Sequence, residues 1–358
     1  MGTLRFLLAL SVVAFHTRPI FGFTGPRAEA VQAFFILSGF YMALILQSGR
    51  YSTALSFYRS RALRLFPVYW AFLLVYVAIA VAPSIPGSEF LAHVSYAARS
   101  RVAAATDGSP AAWLAAIPNL FFIGSEWTRQ FLYDEAGLPF LWRLGMLEAS
   151  AHAVERHLVM PQIWSLGVEL VFYAAAPFLV RFSTRSLIAV AVVAFVAGNV
   201  MQGVGGSYTG PFQWRHMLPM QNSWLFVLGI LCCRAVPPAS RVPTWASIAL
   251  ASIPFALCLF WSPTFSWQQI NALLFVFALG VPSLFALTKD WRADRFVGEL
   301  AYPIYITHFL FAWPSTAYGE YSGYVCAAVA IVVSVALYCG VQAPIDRIRH
   351  RFARLAPA

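Results

Sequence analysis

The chain alternates long apolar blocks with short polar loops. About ten blocks run for some 17–20 residues almost without charge, and a helix of that length spans a hydrocarbon core of roughly 30 Å. Strands of a membrane barrel would instead alternate apolar and polar residues over shorter segments. Of the 358 residues, 60% are hydrophobic and only 11% are charged, which excludes a soluble fold. The pattern predicts an all-α fold, a polytopic bundle of transmembrane helices.

We predict about ten spans, placed by their length and apolar content at 3–20, 30–47, 66–83, 164–182, 187–202, 218–234, 244–262, 268–287, 299–315 and 322–341. A further apolar stretch at 111–124 is broken by Pro118 and is short, so we predict a re-entrant or interfacial segment there. The first block has neither a basic leader nor a small-residue cleavage site, so we interpret it as a retained span. All five cysteines lie in apolar blocks, so no disulfide framework or metal site is implied.

The loop charges predict the orientation, because lysine and arginine concentrate in short cytoplasmic loops. One set of alternate loops carries fifteen of them and the opposite set carries three. We therefore predict that both termini are cytoplasmic, and we interpret the net charge of +10 as a topology signal rather than a nucleic-acid surface. The stretch 84–163 is then a long extracytoplasmic cap. Its acidic residues include Asp107, Glu126, Asp134, Glu135, Glu148 and Glu155. We treat 1–358 as one membrane domain and expect no appended soluble domain.

Four ionisable residues lie well inside the predicted spans, where such groups are costly and usually functional. They are Arg5 and His16 in the first span, Glu169 in the fourth and His308 in the ninth. Arg5 and His16 are eleven residues apart, so they share a helix face and lie roughly 16–17 Å apart along the axis. A snorkelling arginine and a histidine that bonds a neighbouring helix remain alternatives.

Glu169 lies at a predicted depth similar to that of His16, so the two side chains could meet. A carboxylate that holds one imidazole nitrogen makes the other nitrogen a better general base. The alternative is that Glu169 hydrogen-bonds a neighbouring helix and serves only the structure.

Two further pairs are candidates for ligand binding. Ser38 and Gly39 are small enough to let a helix or a slender ligand approach the backbone, and helix packing is the more common use. Arg61 and Arg64 are three residues apart and share a helix face, so they could clamp phosphate oxygens. Both arginines could instead be plain topology anchors.

In this order, the motifs resemble those of the acyltransferase-3 family, integral-membrane O-acyltransferases that modify cell-envelope sugars. The matches are Arg-x10-His at Arg5 and His16, FFxxSG from Phe34 to Gly39, RxxR at Arg61 and Arg64 followed by Pro67 and Tyr69, WSLxxE…FY at Trp164, Ser165, Leu166, Glu169, Phe172 and Tyr173, and an SYxIYxxH-like segment at Tyr302, Ile304, Tyr305 and His308. They extend over almost the whole chain. The chain departs from the pattern at Leu170, at Ala301 and at Gln342, where an acidic residue, a serine and a glutamate are frequent.

The resemblance implies that His16 is the catalytic base and that Arg5 is a structural or donor-positioning residue. Glu169 is a candidate catalytic residue by its predicted depth, as a partner of His16. It also implies that Arg61 and Arg64 contact the phosphates of acetyl-CoA, the acyl donor, while the pantetheine arm passes Ser38 and Gly39. No metal is required. Further candidate site residues are Trp164, Ser165, Tyr305 and His308.

The predicted function is transfer of an acyl group, here acetyl, from acyl-CoA to a hydroxyl of an envelope carbohydrate or lipid-linked saccharide, in the bacterial cytoplasmic (inner) membrane. The partners are then this acceptor and the lipid bilayer, with no nucleic acid. One alternative is a transporter or exporter of a saccharide or small anion, although no inverted repeat or pair of matching broken helices is evident. Another is a non-catalytic protein that binds acyl groups.

Overall fold

The computed structural model describes residues 1–20, 23, 25–26, 29–83, 87–128, 131–133, 139–140, 152–203, 219–236, 243–262 and 264–354. Over these ranges the helices are α1 Gly2–His16, α2 Glu29–Gln47, α3 Ala54–Val81, α4 Glu89–Ala105, α5 Pro110–Phe121, α6 Trp164–Leu179, α7 Thr184–Gly203, α8 Pro219–Arg234, α9 Thr244–Leu259, α10 Trp267–Thr288, α11 Arg292–Glu299, α12 Ala301–Ser315, α13 Ser322–Leu337 and α14 Ala343–Arg354. Three two-residue antiparallel strands, in the order β2-β1-β3, are β1 Leu132–Tyr133, β2 Pro139–Phe140 and β3 His152–Ala153.

Each of the ten predicted spans contains a helix. By length and apolar composition, five helical stretches of the described chain could cross a membrane: Glu29–Gln47, Ala54–Val81, Pro161–Leu179, Trp267–Thr288 and Arg292–Arg349. The last of these contains both α12 and α13. The protein is therefore a helical membrane protein, while the count of ten spans and the cytoplasmic termini remain predictions.

Helix α3 begins twelve residues before the span predicted there. Thr53 caps it, because the Thr53 side chain accepts a hydrogen bond from the backbone N–H of Ser56 at 3.1 Å and the Ser56 hydroxyl reaches back to the Thr53 backbone. Pro67 lies inside the helix. The early start places Arg61 and Arg64 in the first turns of one long helix.

Helices α2 and α8 pack together through two glycines. A Cβ atom on Gly39 would lie 2.0 Å from the carbonyl oxygen of Phe226, and one on Gly229 would lie 2.0 Å from the carbonyl oxygen of Ile36. Such close approach of two backbones requires residues without a side chain. The sequence prediction that Ser38 and Gly39 permit close approach is therefore confirmed at Gly39, where the neighbour is a helix.

Helix α1 packs against α2, α9, α11, α12 and α13. Its first turn is held by Asp294 of α11, whose carboxylate accepts hydrogen bonds from the backbone N–H groups of Gly2 at 2.7 Å and Thr3 at 2.8 Å. The Asp294 carboxylate thereby satisfies backbone N–H groups of the first turn, which have no hydrogen-bond partner within the helix. The contact fixes the position of α1, and with it the two side chains that the sequence singles out at its ends.

The predicted cap at 84–163 contains helices that the sequence did not predict. Helix α4 lies against α3 and α12, and Arg99 on it donates to the carbonyl oxygens of Ala80 and Ala82 at the end of α3. The short apolar helix α5, which contains Pro118, lies at the stretch 111–124 for which the sequence predicts a re-entrant or interfacial segment. Three acidic residues assigned to the cap, Asp134, Glu135 and Glu148, lie outside the described residues.

One contact between side chains joins the loop after α4 to the end of the cap. His157 Nε2 lies 3.2 Å from the Asp107 carboxylate. The pKa of Asp107 is lowered, chiefly because the backbone N–H and the side chain of Ser109 hydrogen-bond its carboxylate. Asp107 is therefore ionised at neutral pH and can hold His157.

Candidate functional site

A cavity of about 430 Å³ is lined by residues of α1, α2, α3, α6, α10, α11, α12 and α14. Seven basic and three acidic side chains line it: Arg5, Arg50, Arg61, Arg64, Lys289, Arg295 and Arg349, with Glu169, Asp294 and Glu299. A volume of this size is typical of a small-molecule site. The surplus of basic side chains favours an anionic ligand.

Arg61 is a buried cation, and no carboxylate of the described residues lies within ion-pair distance of it. It is 8% exposed, its Nη2 lies 3.4 Å from Ser60 Oγ, and its guanidinium carbon lies 5.8 Å from the centroid of the Phe57 ring. Among the described residues, its Nε has no hydrogen-bond partner. Because buried charges in proteins are normally paired, Arg61 is the side chain of the cavity that most needs an anionic partner.

Arg64, three residues later, has the opposite environment. Its Nη1 forms ion pairs with Glu299 and with Asp346, the latter at 3.4 Å, and its side chain is 12% exposed. Asp346 also pairs with Arg349 at 3.0 Å. The structure thus brings Arg61 and Arg64 to one cavity, as the sequence predicts, but it gives Arg64 two protein carboxylates as partners.

Gln342 belongs to the same cluster of charges. Its side-chain N–H donates to Glu299 Oε2 at 2.7 Å. A glutamate at this position would place a second carboxylate against Glu299, whereas the amide donates a hydrogen bond to it. The departure of Gln342 from the family pattern therefore suits the Arg64–Glu299 pair.

Glu169 lies in the wall of the cavity between α2 and α6. Its Oε1 accepts hydrogen bonds from Ser38 Oγ at 2.7 Å and from the Tyr173 hydroxyl at 2.5 Å. The sequence raised the possibility that Glu169 meets His16, and the structure gives it Ser38 and Tyr173 as partners instead. A similar depth in the membrane does not fix which side of a helix a residue faces. Gly39, the neighbour of Ser38, packs against α8 and lies outside the lining of the cavity.

Arg5 lines the cavity at the first turns of α1. Its guanidinium carbon lies 5.7 Å from the centroid of the Tyr41 ring, a cation–π contact with α2. The side chain is half-buried. Its position suits a cation that contacts a ligand in the cavity.

His16 ends α1 at its other end, among aromatic rings. Its ring centroid lies 5.3 Å from that of His308 and 5.3 Å from that of Phe309, which it meets edge to face. His16 is exposed, whereas His308 is fully buried. We call this group of His16, His308 and Phe309 the histidine end; none of its members is among the residues that line the cavity.

The tautomer of His308 follows from its contacts. Its Nδ1 lies 2.8 Å from the carbonyl oxygen of Tyr305. A carbonyl only accepts, so Nδ1 carries the proton and Nε2 of the neutral ring presents a lone pair. No described atom hydrogen-bonds that Nε2.

Tyr305 connects the cavity with the histidine end. It lines the cavity, and its ring centroid lies 5.8 Å from that of His308. Its hydroxyl lies 2.7 Å from Ser165 Oγ and donates to the carbonyl oxygen of Gln162 at 2.8 Å. Trp164 is buried and packs edge to face against Phe35 at 6.5 Å. The candidates Ser165, Tyr305 and His308 thus form a continuous wall between Glu169 and His16.

Sequence reasoning missed several residues of the site. The carboxylates that hold Arg64 come from α11 and α14, and the ring beneath Arg5 comes from the middle of α2. The sequence signal that could have indicated part of this cluster is the pair of acidic residues at the start of the ninth predicted span, Asp294 and Glu299. Nothing in the sequence indicates that Phe309 touches His16.

The model of the acyltransferase-3 family, described as an acyltransferase domain, matches residues 2–341. The match covers nearly the whole chain, and the chain belongs to this family. No curated protein and no solved structure matches it. The resemblance predicted from the ordered motifs is confirmed, and the chain is a membrane acyltransferase by family.

Proposed function

We propose that the protein transfers an acetyl group from acetyl-CoA to a hydroxyl of an envelope saccharide or lipid-linked glycan, with His16 as general base. The observation that carries the donor assignment is Arg61, a buried guanidinium in a basic cavity that has no carboxylate partner in the described part of the chain. A phosphate group would accept from its free donors with the bidentate geometry that guanidinium favours.

The cavity suits a long anionic donor. Exposed cations lie on its lining: Arg50, Lys289 and Arg295. They attract the nucleotide phosphates, while the uncharged pantetheine arm extends past Phe35 and Ser38 towards Tyr305. In this proposal Arg5 contacts the donor, and Glu169 positions the cavity wall through Ser38 and Tyr173 rather than through His16.

The chemistry takes place where the arm reaches the histidine end. His16 accepts the proton of an acceptor hydroxyl, and the oxygen attacks the thioester carbonyl carbon. The carbon–sulfur bond breaks, the ester forms, and the CoA thiolate leaves and takes up a proton. His308, whose Nδ1 is held by a carbonyl, keeps a lone pair beside the His16 ring.

The proposal places the donor on the cytoplasmic side of the bacterial inner membrane and the acceptor outside it. The loop charges support this orientation, because the exposed cations Arg50, Lys289 and Arg295 belong to the predicted cytoplasmic loops. Transport of a saccharide is the competing function, and nothing in the described helices favours it over transfer.

The test is acetyl transfer from radiolabelled acetyl-CoA into the saccharide of membranes that contain the protein. We expect label in base-labile esters, and a loss of roughly 10²–10⁴-fold in rate for His16→Ala, the usual cost of removing a general base. His157→Gln, in the cap, serves as the matched histidine control. Undiminished transfer by a well-inserted His16→Ala protein would refute the mechanism, and saccharide export without ester formation would refute the function.

A further inference from the structure

The outer surface of the histidine end is completed by α4. The guanidinium carbon of Arg101 lies 5.6 Å from the centroid of the Phe309 ring, and the same ring meets His16 edge to face at 5.3 Å. Phe309 thus touches both the proposed base and a cation from the cap. A charged group bound at Arg101 would lie one aromatic ring away from His16.

Arg101 differs from the arginines around it. Arg99, on the same helix, donates to the carbonyl oxygens of Ala80 and Ala82, and Arg18 pairs with Glu320 at 3.2 Å. Within the part of the chain that the structure describes, Arg101 has its contact with Phe309 and neither a hydrogen bond nor an ion pair. Arg101 is half-buried as a residue, so part of it is accessible.

An aromatic surface continues from this point along α4 and α12. The rings of Tyr96 and Trp313 lie 5.6 Å apart, and both side chains are exposed. His93 meets Trp313 edge to face at 5.5 Å. Flat rings with polar tips pack well against ligands that combine apolar faces with hydroxyl groups. This surface and Arg101 together have the chemistry of a site for a charged saccharide.

We infer that Arg101 binds an anionic group, a carboxylate or a phosphate, on the saccharide acceptor and so holds one acceptor hydroxyl beside His16. A guanidinium binds either group through two parallel hydrogen bonds. The inference rests on the proposed function for the identity of the acceptor. It makes Arg101 a specificity-determining residue, with no part in the proton transfer.

The test measures access to His16 and requires no acyl transfer. The protein is placed in phosphatidylcholine nanodiscs, and carbethoxylation of His16 by diethyl pyrocarbonate is followed by peptide mass spectrometry. The probes are methyl β-glucuronide, the neutral methyl β-glucoside and inorganic phosphate, at equal concentrations. We expect the glucuronide and phosphate to slow modification of His16 at least threefold and the glucoside to have little effect.

The variants assign the protection to one side chain. Arg101→Gln should lose the protection and Arg101→Lys should keep part of it, because an ammonium retains the charge without the bidentate geometry. Arg99→Gln, the control two residues away, should be protected like the wild type. Equal protection by the glucoside, or full protection of Arg101→Gln, would overturn the inference.

A lipid headgroup could present the same phosphate. If nanodiscs with phosphatidylglycerol alone slow the modification through Arg101, and the soluble glucuronide and phosphate do not, the site binds lipid and the acceptor assignment is wrong. Because the assay is independent of turnover, a wild-type protein that shows protection without acetyl transfer would refute the proposed function and leave the anion site in place.

Discussion

The two ends of α1 differ in the kind of chemistry that surrounds them. At the Arg5 end, cations and carboxylates of α3, α11 and α14 surround a cavity. At the histidine end, two imidazole rings lie among aromatic side chains. The ends are roughly 16–17 Å apart along one helix. In the proposed mechanism, a charged donor binds at one end of α1 and a proton is removed at the other, because ion pairs and lone pairs need different surroundings.

The same contrast recurs within the cavity, between two arginines three residues apart. Arg64 is neutralised by Glu299 and Asp346, whereas Arg61 has no carboxylate partner within the ranges that the structure describes. An arginine that the protein has already paired stabilises the fold, whereas one that lacks a partner can bind a ligand. The RxxR motif does not distinguish the two arginines, whereas the structure gives them different partners.

The largest expected effect tests whether Arg64 stabilises the fold rather than binding the ligand. Arg64→Ala leaves the partly buried carboxylate of Glu299 without its cation and leaves Asp346 with Arg349 alone. Breaking a buried pair in this way costs about 3–5 kcal/mol. We expect a marked loss of thermal stability and yield in detergent. Adding Glu299→Gln to Arg64→Ala should recover part of that stability. A stable Arg64→Ala protein with weakened acetyl-CoA binding would instead make Arg64 the phosphate ligand.

The next effect tests whether Arg61 binds the ligand. Hydrogen bonds to charged groups contribute about 1.5–3 kcal/mol, so Arg61→Ala should weaken acetyl-CoA binding roughly 10- to 150-fold with little change in thermal stability. Arg61→Lys should recover part of the affinity. Calorimetry on the purified protein measures both the acetyl-CoA affinity and the thermal stability. Arg59, two residues earlier, is exposed, and Arg59→Ala is the control. Unchanged affinity in a folded Arg61→Ala protein contradicts the assignment.

The third effect tests whether Gly39 serves packing alone. A methyl group on Gly39 would meet the Phe226 carbonyl oxygen at 2.0 Å, so Gly39→Ala should separate α2 from α8 and destabilise the protein by about 1–3 kcal/mol. At Gly198 of α7 a Cβ would lie 3.4 Å from Gln221 Cα, an ordinary contact, and Gly198→Ala should be tolerated. Thermal unfolding of both variants measures the difference in stability between them. If Gly39→Ala is stable and loses only donor affinity, Gly39 contacts the ligand.

The helices could be predicted from the sequence because a long apolar block in a membrane has few alternatives to a helix. The helices α4 and α14 were missed because they are polar or short. The separate roles of Arg61 and Arg64 could not be predicted, since Asp346 is 282 residues away from Arg64 along the chain. The partners of Glu169 depend on the rotation of α6, which its depth in the membrane does not define.

The smallest expected effect tests whether the cap supports α6 without sharing in the chemistry. Glu126 is 5% exposed, and its Oε2 lies where a side chain on Gly167 of α6 would be. Burial raises the pKa of Glu126 above its ordinary value of 4.5. The folded protein therefore binds this proton more tightly than the unfolded chain. The contribution of Glu126 to stability is greatest below pH 4.5 and is lost as the pH rises through the raised pKa.

Glu126→Gln removes the charge that must be buried at higher pH and nearly keeps the shape. We expect the variant to melt roughly 1–3 °C above the wild type at pH 8 and level with it at pH 4, with unchanged acetyl transfer. Glu89→Gln, at an exposed position on α4, should shift the melting temperature at neither pH. Thermal unfolding in detergent at both pH values makes the comparison. A Glu126→Gln protein that is equally stable at both pH values but has lost transfer would mean that this carboxyl acts in the reaction rather than in the support of α6.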